Sequence, residues 1–268
     1  MNPISKIIKR VFRQVAPSFY ESCRIHRYCK VTFGPFQQEI ERRVYQDRPL
    51  SVLTGPFTGL KYFNKTVWGP IVPKWMGTYE SELHVIVNDI LERNYSLVID
   101  VGAAEGYYAV GLARALPEAK VMAFDIDRFA RARLRELTRL NGLSNVLIHS
   151  ECDHATIDRL IDHRFRSLII CDIEGCELEL LDPAQATSLG SVDVLVEVHS
   201  RRDKSLSQVL QVLTDRFTPT HTIQRIDIQK GDISKLKSIH GLEDPSIATE
   251  AINEHRSGEQ AWLWMTVS

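Results

Sequence analysis

The chain has 268 residues, of which 44% are apolar, and this is enough to build one substantial α/β domain with an extension. Its 33 Lys and Arg residues nearly balance 34 Asp and Glu residues, so the net charge of −1 provides no global basic field for binding nucleic acid. No apolar run approaches the length that spans a bilayer and no secretory signal is present. This predicts a cytoplasmic protein, with a peripheral position at the inner face of the membrane as the alternative.

The first segment, residues 1–30, is basic and amphipathic. Apolar residues recur at helical spacing through residues 4–15, and lysines and arginines occupy the opposite face of the predicted helix. Three interpretations remain open: a helix that covers part of the main domain, a peripheral anchor on anionic lipid, and a mitochondrial presequence.

Residues 31–77 form a second segment, which is rich in glycine, proline and aromatic residues. Gly-Pro pairs at 34–35, 55–56 and 69–70 predict turns, so we expect a small β-hairpin or an irregular cap. Thr78 is the predicted N-cap of a helix that runs to about Arg93. Residues 78–268 are expected to form the main domain.

The stretch Ser96–Ala113 predicts a strand, a glycine turn and a helix, which is the arrangement by which a doubly wound sheet binds a nucleotide. The turn reads Asp100-Val-Gly102-Ala-Ala-Glu105-Gly106 and lacks one glycine of a dinucleotide fingerprint. Glu105 at the start of the helix would repel a diphosphate and suit a cationic ligand. This predicts S-adenosylmethionine, which carries a sulfonium and an ammonium. The competing interpretation is that both glycines only permit a tight turn and close packing.

Further cofactor contacts are predicted after the next two strands. Asp125 ends the second strand, 25 residues after Asp100, and is the predicted partner of the ribose hydroxyls. Asp153 follows the third strand, in the loop that borders the adenine in this topology. Ala103 in the glycine turn and Ile126 beside Asp125 complete the predicted cofactor site.

From residue 97 onward strands and helices alternate, which predicts a doubly wound, mostly parallel Rossmann-like sheet. The predicted strands are 97–101, 120–125, 145–149, 167–172, 192–198, 221–229 and 260–267, and the predicted helices are 105–116, 128–140, 154–163, 176–181 and 203–214. The last two strands lack a full helical pattern between them, so we expect an antiparallel pair at one edge. Their connection, 230–259, is long enough to be a functional lid.

Two acidic clusters follow the fourth and fifth strands. Asp172 and Glu174 form the first, while Glu197 and His199 share parity on the fifth strand, so all four are expected to converge on one mouth beside the cofactor. His199 is the preferred base for a hydroxyl acceptor. Asp172 would be the base instead or would bind the ammonium end of the cofactor. Glu197 would orient His199 or bind the acceptor. A divalent cation could bind the same groups, but the spacing is not diagnostic, so a metal is not favoured.

With these motifs in place, the chain resembles the FkbM-like family of S-adenosylmethionine-dependent methyltransferases over roughly residues 77–199. The resemblance lies in VIDVGAAEGYYAVGLA, in the acidic end of AFDID, in the D-I-E-G-x-E motif at 172–177 and in E-V-H at 197–199. It implies a Rossmann-like methyltransferase fold and usually O-methylation, with sugars of surface polysaccharides or hydroxyls of natural products as acceptors. The family often has Glu-Pro where this chain has Asp125-Ile126, so the backbone of that loop is not carried over.

The resemblance also implies roles for particular side chains. It assigns cofactor contacts to Asp100, Gly102, Glu105 and Asp125, and active-site positions to Asp172, Glu174 and His199. Acceptor identity is not carried over, because the aromatic N-terminal segment and the loop before the last strand lie outside the shared region.

We therefore expect an O-methyltransferase that acts on a glycan or small-molecule hydroxyl. One alternative is a nucleic-acid methyltransferase of the same fold, which the balanced charge and the lack of an N-P-P-Y-type motif disfavour. Another is a non-catalytic scaffold anchored at a membrane through its first helix. Arg256, in the long loop, is expected to be solvated, with a clamp on an anionic acceptor as the alternative.

Overall fold

The computed structural model describes residues 17–46, 48–65, 68–229, 231–256 and 258–268. The amphipathic segment 4–15 and its three interpretations lie outside these ranges. Within them, none of the helices combines the length and the hydropathy that crossing a bilayer requires.

Seven strands form one sheet. They are Leu97–Val101 (β1), Lys120–Phe124 (β2), Val146–His149 (β3), Ser167–Cys171 (β4), Asp193–His199 (β5), His221–Asp227 (β6) and Gln260–Val267 (β7). Their spatial order is β3-β2-β1-β4-β5-β7-β6. The first five strands pair in parallel, whereas β7 is antiparallel to both β5 and β6. The predicted doubly wound α/β sheet is confirmed, and the expected antiparallel pair at one edge is β6 with β7.

Helices cover both faces of the sheet. They are Pro17–Ile40 (α1), Val72–Met76 (α2), His84–Glu92 (α3), Tyr107–Ala115 (α4), Arg128–Leu140 (α5), His154–Leu160 (α6), Glu177–Leu180 (α7), Leu206–Phe217 (α8) and Pro245–Ala251 (α9). Every residue of β1, β4 and β5 is buried, as expected for strands that are packed on both faces. The carboxyl ends of these strands therefore meet at one edge between the helical layers.

The segment before the sheet packs into the same core. Trp75 of α2 is fully buried, and it shares one apolar cluster with Val110 of α4 and Trp262 of β7. The connection 230–259 joins this cluster through Leu236 and Leu242. These contacts place both segments over the face of the sheet that carries α4. The predicted role of the connection as a lid stays a prediction.

Some predicted boundaries in the N-terminal segment are wrong. α1 continues through the Gly34-Pro35 pair, so there is no turn there, and the division between residues 30 and 31 falls inside this helix. A proline inside a helix costs about 3 kcal/mol, but α1 ends on Ile40, which is fully buried, and apolar burial offsets such a cost. The expected small hairpin or irregular cap is represented by an antiparallel bridge between Ser51 and Lys61, flanked by backbone hydrogen bonds from Val52 to the carbonyl of Leu60 and from Tyr62 to the carbonyl of Leu50.

Two predicted helix starts are also wrong. Thr78 does not cap α3, which begins at His84 after a 3₁₀ turn; Thr78 is buried and its hydroxyl contacts the carbonyl of Pro73 at 3.4 Å. α8 begins at residue 206 and not at 203, because Ser205 and Gln208 form a capping box at its start.

Candidate active site

The glycine turn packs closely against the loop that follows β4. Gly102 has φ 87°, and a Cβ atom there would lie 1.6 Å from the carbonyl oxygen of Asp172. Gly106 has φ 100°, and its Cβ would lie 2.2 Å from Cδ1 of Leu134 in α5. Both glycines are thus required by the packing of the chain itself, as the competing interpretation expects. That interpretation leaves the carboxylates around the turn unexplained.

Asp100 is a buried carboxylate without a matching cation. It is 3% exposed, and its Oδ2 has no hydrogen-bond partner among the described residues. Burial, followed by the nearby charges of Asp172 and Asp125, raises its pKa to about 8. Asp100 lines a cavity together with Lys74, which is paired with Glu105, and with aromatic side chains, namely Tyr79, Tyr107, Tyr108 and Trp262. A positively charged or hydrogen-bond-donating ligand would satisfy it.

Asp125 holds the glycine turn in shape. Its Oδ2 accepts a hydrogen bond from the backbone nitrogen of Ala104 at 2.8 Å, and its Oδ1 accepts one from Asp127 at 2.7 Å. Burial raises its pKa to about 6. Because each carboxylate oxygen can accept a second hydrogen bond, the side chain keeps capacity for a hydroxyl ligand. Ile126 beside it is 83% exposed, so its side chain is accessible to a ligand.

The remaining predicted cofactor positions differ in their exposure. Ala103 is 6% exposed and donates a backbone hydrogen bond to the carbonyl of Phe124 at 3.0 Å. Asp153 is exposed and caps α6 by accepting a hydrogen bond from the backbone nitrogen of Thr156 at 2.8 Å. The structure thus gives Asp153 a local capping role, and an adenine contact there stays a prediction.

Glu105 does not present a free charge at the start of α4. It is 1% exposed, forms an ion pair with the ammonium of Lys74, and accepts a hydrogen bond from the hydroxyl of Tyr62 at 3.0 Å. Its charge is thus compensated within the fold, because α2 supplies a buried lysine as its partner, while Oε2 has no hydrogen-bond partner among the described residues. A contact of Glu105 with a cationic ligand stays a prediction. The electrostatic case for a cationic ligand then depends on Asp100 and Asp172.

The acidic clusters after β4 and β5 converge as expected. Nε2 of His199 lies 3.9 Å from Oδ1 of Asp172, 3.5 Å from Oε2 of Glu174 and 3.7 Å from Oε2 of Glu197. His199 is 7% exposed, and neither its Nε2 nor Oδ1 of Asp172 has a hydrogen-bond partner among the described residues. Four ionisable side chains thus meet at the carboxyl ends of β4 and β5, next to the cavity that Asp172 lines, and two of their buried polar atoms are unsatisfied among the described residues.

Glu177 orients the imidazole ring of His199, a role that was expected of Glu197. Nδ1 of His199 donates a hydrogen bond to Oε1 of Glu177 at 2.9 Å, and the same oxygen accepts one from the backbone nitrogen of Gly175 at 2.8 Å. Glu177 is fully buried. The orienting role predicted for Glu197 is therefore wrong. The signal that could have identified Glu177 is its place at the end of the D-I-E-G-x-E motif.

Arg256 is half-buried among carboxylates, with 18% of its side chain exposed, so its predicted solvation is wrong. Its guanidinium contacts Glu197 at 2.9 Å, Glu254 at 2.8 Å and Glu80 at 3.2 Å. Burial lowers the pKa of Arg256, but the charges of Glu80 and the other carboxylates raise it by more. Arg256 of the long connection thus pairs with the buried side chain of Glu197.

The protonation of this cluster follows from its burial. Burial, then the charges of Glu80 and Glu174, raises the pKa of Asp172 to about 7. Burial, then the charge of Asp172, raises the pKa of Glu197 to about 11, against the opposing effect of Arg256. For His199, burial lowers the pKa, but the hydrogen bond to Glu177 and the charge of Asp172 outweigh it, and the pKa is raised.

Comparisons with known proteins find similarity in fold. The chain is similar to the ribosomal protein L11 methylase of Lactobacillus delbrueckii subsp. bulgaricus, with 16% identity, a TM-score of 0.43, and coverage of 71% of this chain and 79% of that one. It is also similar to a candidate O-methyltransferase from Klebsiella pneumoniae, with 12% identity, a TM-score of 0.48, and coverage of 72% of this chain and 81% of that one. A third similar structure is M. jannaschii TYW2, solved in complex with AdoMet, with 14% identity, a TM-score of 0.42, and coverage of 72% of this chain and 76% of that one. No protein-family profile and no curated protein matches the chain.

Proposed function

We propose that the chain is an S-adenosylmethionine-dependent methyltransferase that methylates a hydroxyl group of a glycan or a small molecule. The observation that carries this proposal is the pair of carboxylates at the ends of β1 and β2: Asp100, buried with an unsatisfied oxygen, and Asp125, which holds the glycine turn at the surface. At this edge of a doubly wound sheet, such a pair suits a ligand that offers a cation and hydroxyl groups together.

The residues present fit that ligand. Asp100 would bind the ammonium, because its neutral form at pH 7 becomes the ionised form once a cation compensates for its burial. Asp125 would accept hydrogen bonds from the ribose hydroxyls with its remaining lone pairs. The exposed side chain of Ile126 would pack on one face of the adenine, and Asp153 would border it.

When bound, S-adenosylmethionine supplies an electrophilic methyl group and leaves as a neutral thioether. The chain must then position the acceptor and take up the proton of its hydroxyl. Nε2 of His199 and the carboxylate of Asp172 are the two groups placed to receive that proton, since both are unsatisfied at the mouth. Glu177 fixes the imidazole ring with Nε2 facing the mouth. Asp172, with a pKa of about 7, titrates close to working pH.

The charge at the mouth favours a neutral acceptor over nucleic acid. Glu174, whose side chain is 81% exposed, stands at the rim, and Asp172 lies behind it. Binding a nucleic acid relies on neutralising phosphates with Lys and Arg side chains, and an acidic rim opposes it. Hydroxyl groups of a sugar, in contrast, are well matched by carboxylate acceptors.

The test is a methyl-transfer assay with radiolabelled S-adenosylmethionine against glycan, lipid, small-molecule and RNA extracts. We expect label in a glycan or small-molecule fraction, and its loss in Asp100→Asn and His199→Ala. His240→Ala removes an exposed histidine of the long connection and serves as the matched control, with unchanged transfer expected. Label only in RNA would favour the nucleic-acid alternative. Absence of affinity for both S-adenosylmethionine and S-adenosylhomocysteine would favour the scaffold.

A further inference from the structure

We infer that Asp172, Glu174 and His199 form a binding site for one hard divalent cation, Mg²⁺ or Mn²⁺. Each of the three side chains offers one ligand atom, and these atoms all lie within 4.8 Å of one another. The site lies at the carboxyl ends of β4 and β5, and Asp172 connects it to the cavity beside the glycine turn.

The two buried ligand atoms are held ready for a positively charged partner. Nε2 of His199 and Oδ1 of Asp172 are both inaccessible to solvent and lack hydrogen-bond partners among the described residues. Leaving such atoms unsatisfied costs about 1–3 kcal/mol each, so their convergence on one point indicates a missing ligand. His199 is 7% exposed, and its ring is therefore fixed by packing as well as by hydrogen bonding.

The distances suit a cation of this class. Nε2 lies 3.9 Å from Oδ1 of Asp172 and 3.5 Å from Oε2 of Glu174. Adjacent ligands around Mg²⁺ or Ca²⁺ are separated by about 3.0–3.4 Å, given metal–oxygen distances of about 2.1–2.4 Å. On binding, the distance from Nε2 to Oε2 of Glu174 would need to shorten by a few tenths of an ångström, and the distance from Nε2 to Oδ1 of Asp172 by about half an ångström or more. Oε2 of Glu197, 3.7 Å from Nε2, offers a further oxygen.

The shell behind the ligands has the arrangement that metal-binding histidines need. Glu177 accepts a hydrogen bond from Nδ1–H of His199, so Nε2 is the ring nitrogen that can bind the proposed cation. The backbone nitrogen of Gly175 in turn fixes Glu177. Glu174 has φ 55° and precedes Gly175 at φ 100°, and this left-handed turn places its carboxylate at the rim opposite the imidazole. A set of carboxylates with one imidazole prefers hard oxygen-seeking cations.

The cation would change how the acceptor hydroxyl is activated. With Nε2 and Oδ1 bound to metal, neither atom can take a proton. The metal would instead lower the pKa of a hydroxyl that coordinates to it, and the proton of that hydroxyl would pass to solvent water. This consequence rests on the proposed function, whereas the binding site itself does not. The two are therefore separable by experiment.

The experiment is a titration of the EDTA-treated full chain with Mn²⁺, in which free Mn²⁺ is followed by electron paramagnetic resonance. We expect one Mn²⁺ per chain, displaced by excess Mg²⁺. Glu174→Gln should weaken binding at least tenfold, and this exposed side chain can be replaced without disturbing the core. Glu179→Gln is the matched control, because it makes the same change in a nearby carboxylate that pairs with Arg201. This variant should bind Mn²⁺ with the affinity of the wild type. Glu177→Gln should weaken binding by about 10–100-fold.

Two results would overturn the inference: no Mn²⁺ binding at millimolar concentration, or equal affinity in the wild type and Glu174→Gln. Calorimetry with S-adenosylhomocysteine in EDTA, run on the same protein, separates this failure from failure of the proposed function. Affinity for S-adenosylhomocysteine without Mn²⁺ binding rejects the cation site alone. Mn²⁺ binding that Glu174→Gln weakens supports the cation site, even in a chain without affinity for S-adenosylhomocysteine.

Discussion

The affinity for S-adenosylmethionine should rise with pH between 6.0 and 7.5, and Asp100→Asn should remove most of this rise. Asp100 has a pKa of about 8 in the ligand-free chain, so it is largely neutral throughout this interval. A ligand ammonium stabilises the ionised carboxylate, and binding must therefore release a proton. The variant keeps the shape of the side chain but cannot ionise.

The magnitude follows from the fraction of ionised Asp100. For a pKa of about 8, this fraction grows from about 1% at pH 6.0 to about 24% at pH 7.5, which predicts an affinity gain of roughly twentyfold. At pH 7.0 the deprotonation costs about 1.4 kcal/mol of binding free energy. Asp172 and Asp125 titrate in the same interval in both proteins, so the difference between variant and wild type is the informative quantity.

The assay is isothermal titration calorimetry at pH 7.0 in two buffers of different ionisation enthalpy. The wild type should release about 0.9 proton more per ligand than Asp100→Asn. Equal proton release and parallel pH profiles in the two proteins would refute the assignment of Asp100 to the ammonium.

The same carboxylate should lower the stability of the ligand-free fold at neutral pH. Its folded pKa lies above the ordinary value of 3.8, so the folded chain binds more protons than the unfolded chain between about pH 4 and pH 8. Stability is therefore lost as the pH rises through this window. Asp100→Asn should melt at a higher temperature than the wild type at pH 8, by about 2–4 °C per kcal/mol gained, and the difference should shrink towards pH 4.

Three further substitutions probe the packing and the electrostatics of the site. Gly102→Ala should destabilise the fold by well over the roughly 1–2 kcal/mol expected of Gly142→Ala. Both glycines have positive φ, but only a Cβ atom at position 102 would collide with a backbone carbonyl. Equal denaturation midpoints of the two variants would contradict the described packing. Lys74→Met should cost about 3–5 kcal/mol in urea unfolding by leaving Glu105 charged and buried, and adding Glu105→Gln should recover much of it; additive losses would contradict the ion pair. Glu177→Gln should reduce the turnover number of methyl transfer about 10–100-fold without changing the affinity for S-adenosylhomocysteine, and a changed affinity would place this residue in the cofactor site instead.

The sheet and the convergence of its acidic residues could be predicted from sequence because both follow from local pattern. β1 and β7 have the predicted bounds, since apolar runs and turn residues delimit strands wherever a segment is buried on both faces. The parity of Glu197 and His199 indicated a shared face, and the structure brings both to the mouth. The parallel order of β1, β4 and β5 then sufficed to bring the Asp172 cluster beside them.

The partners of the buried charges could not be predicted in this way. Lys74 meets Glu105 across 31 residues of sequence, and Arg256 meets Glu197 across 59 residues. Such pairs depend on how the irregular segments fold back over the sheet, which neither periodicity nor capping signals encode. The sequence therefore indicates the position of Glu105 just before α4 but not its pairing with Lys74.

The most direct test of the central claim is a crystal structure of the full chain with S-adenosylhomocysteine. We expect ligand density at the carboxyl ends of β1 and β2, with the ribose hydroxyls on Asp125 and the amino group beside Asp100. Ligand density elsewhere on the chain, or a structure without ligand at saturating concentration, would contradict the claim that this edge of the sheet binds the cofactor.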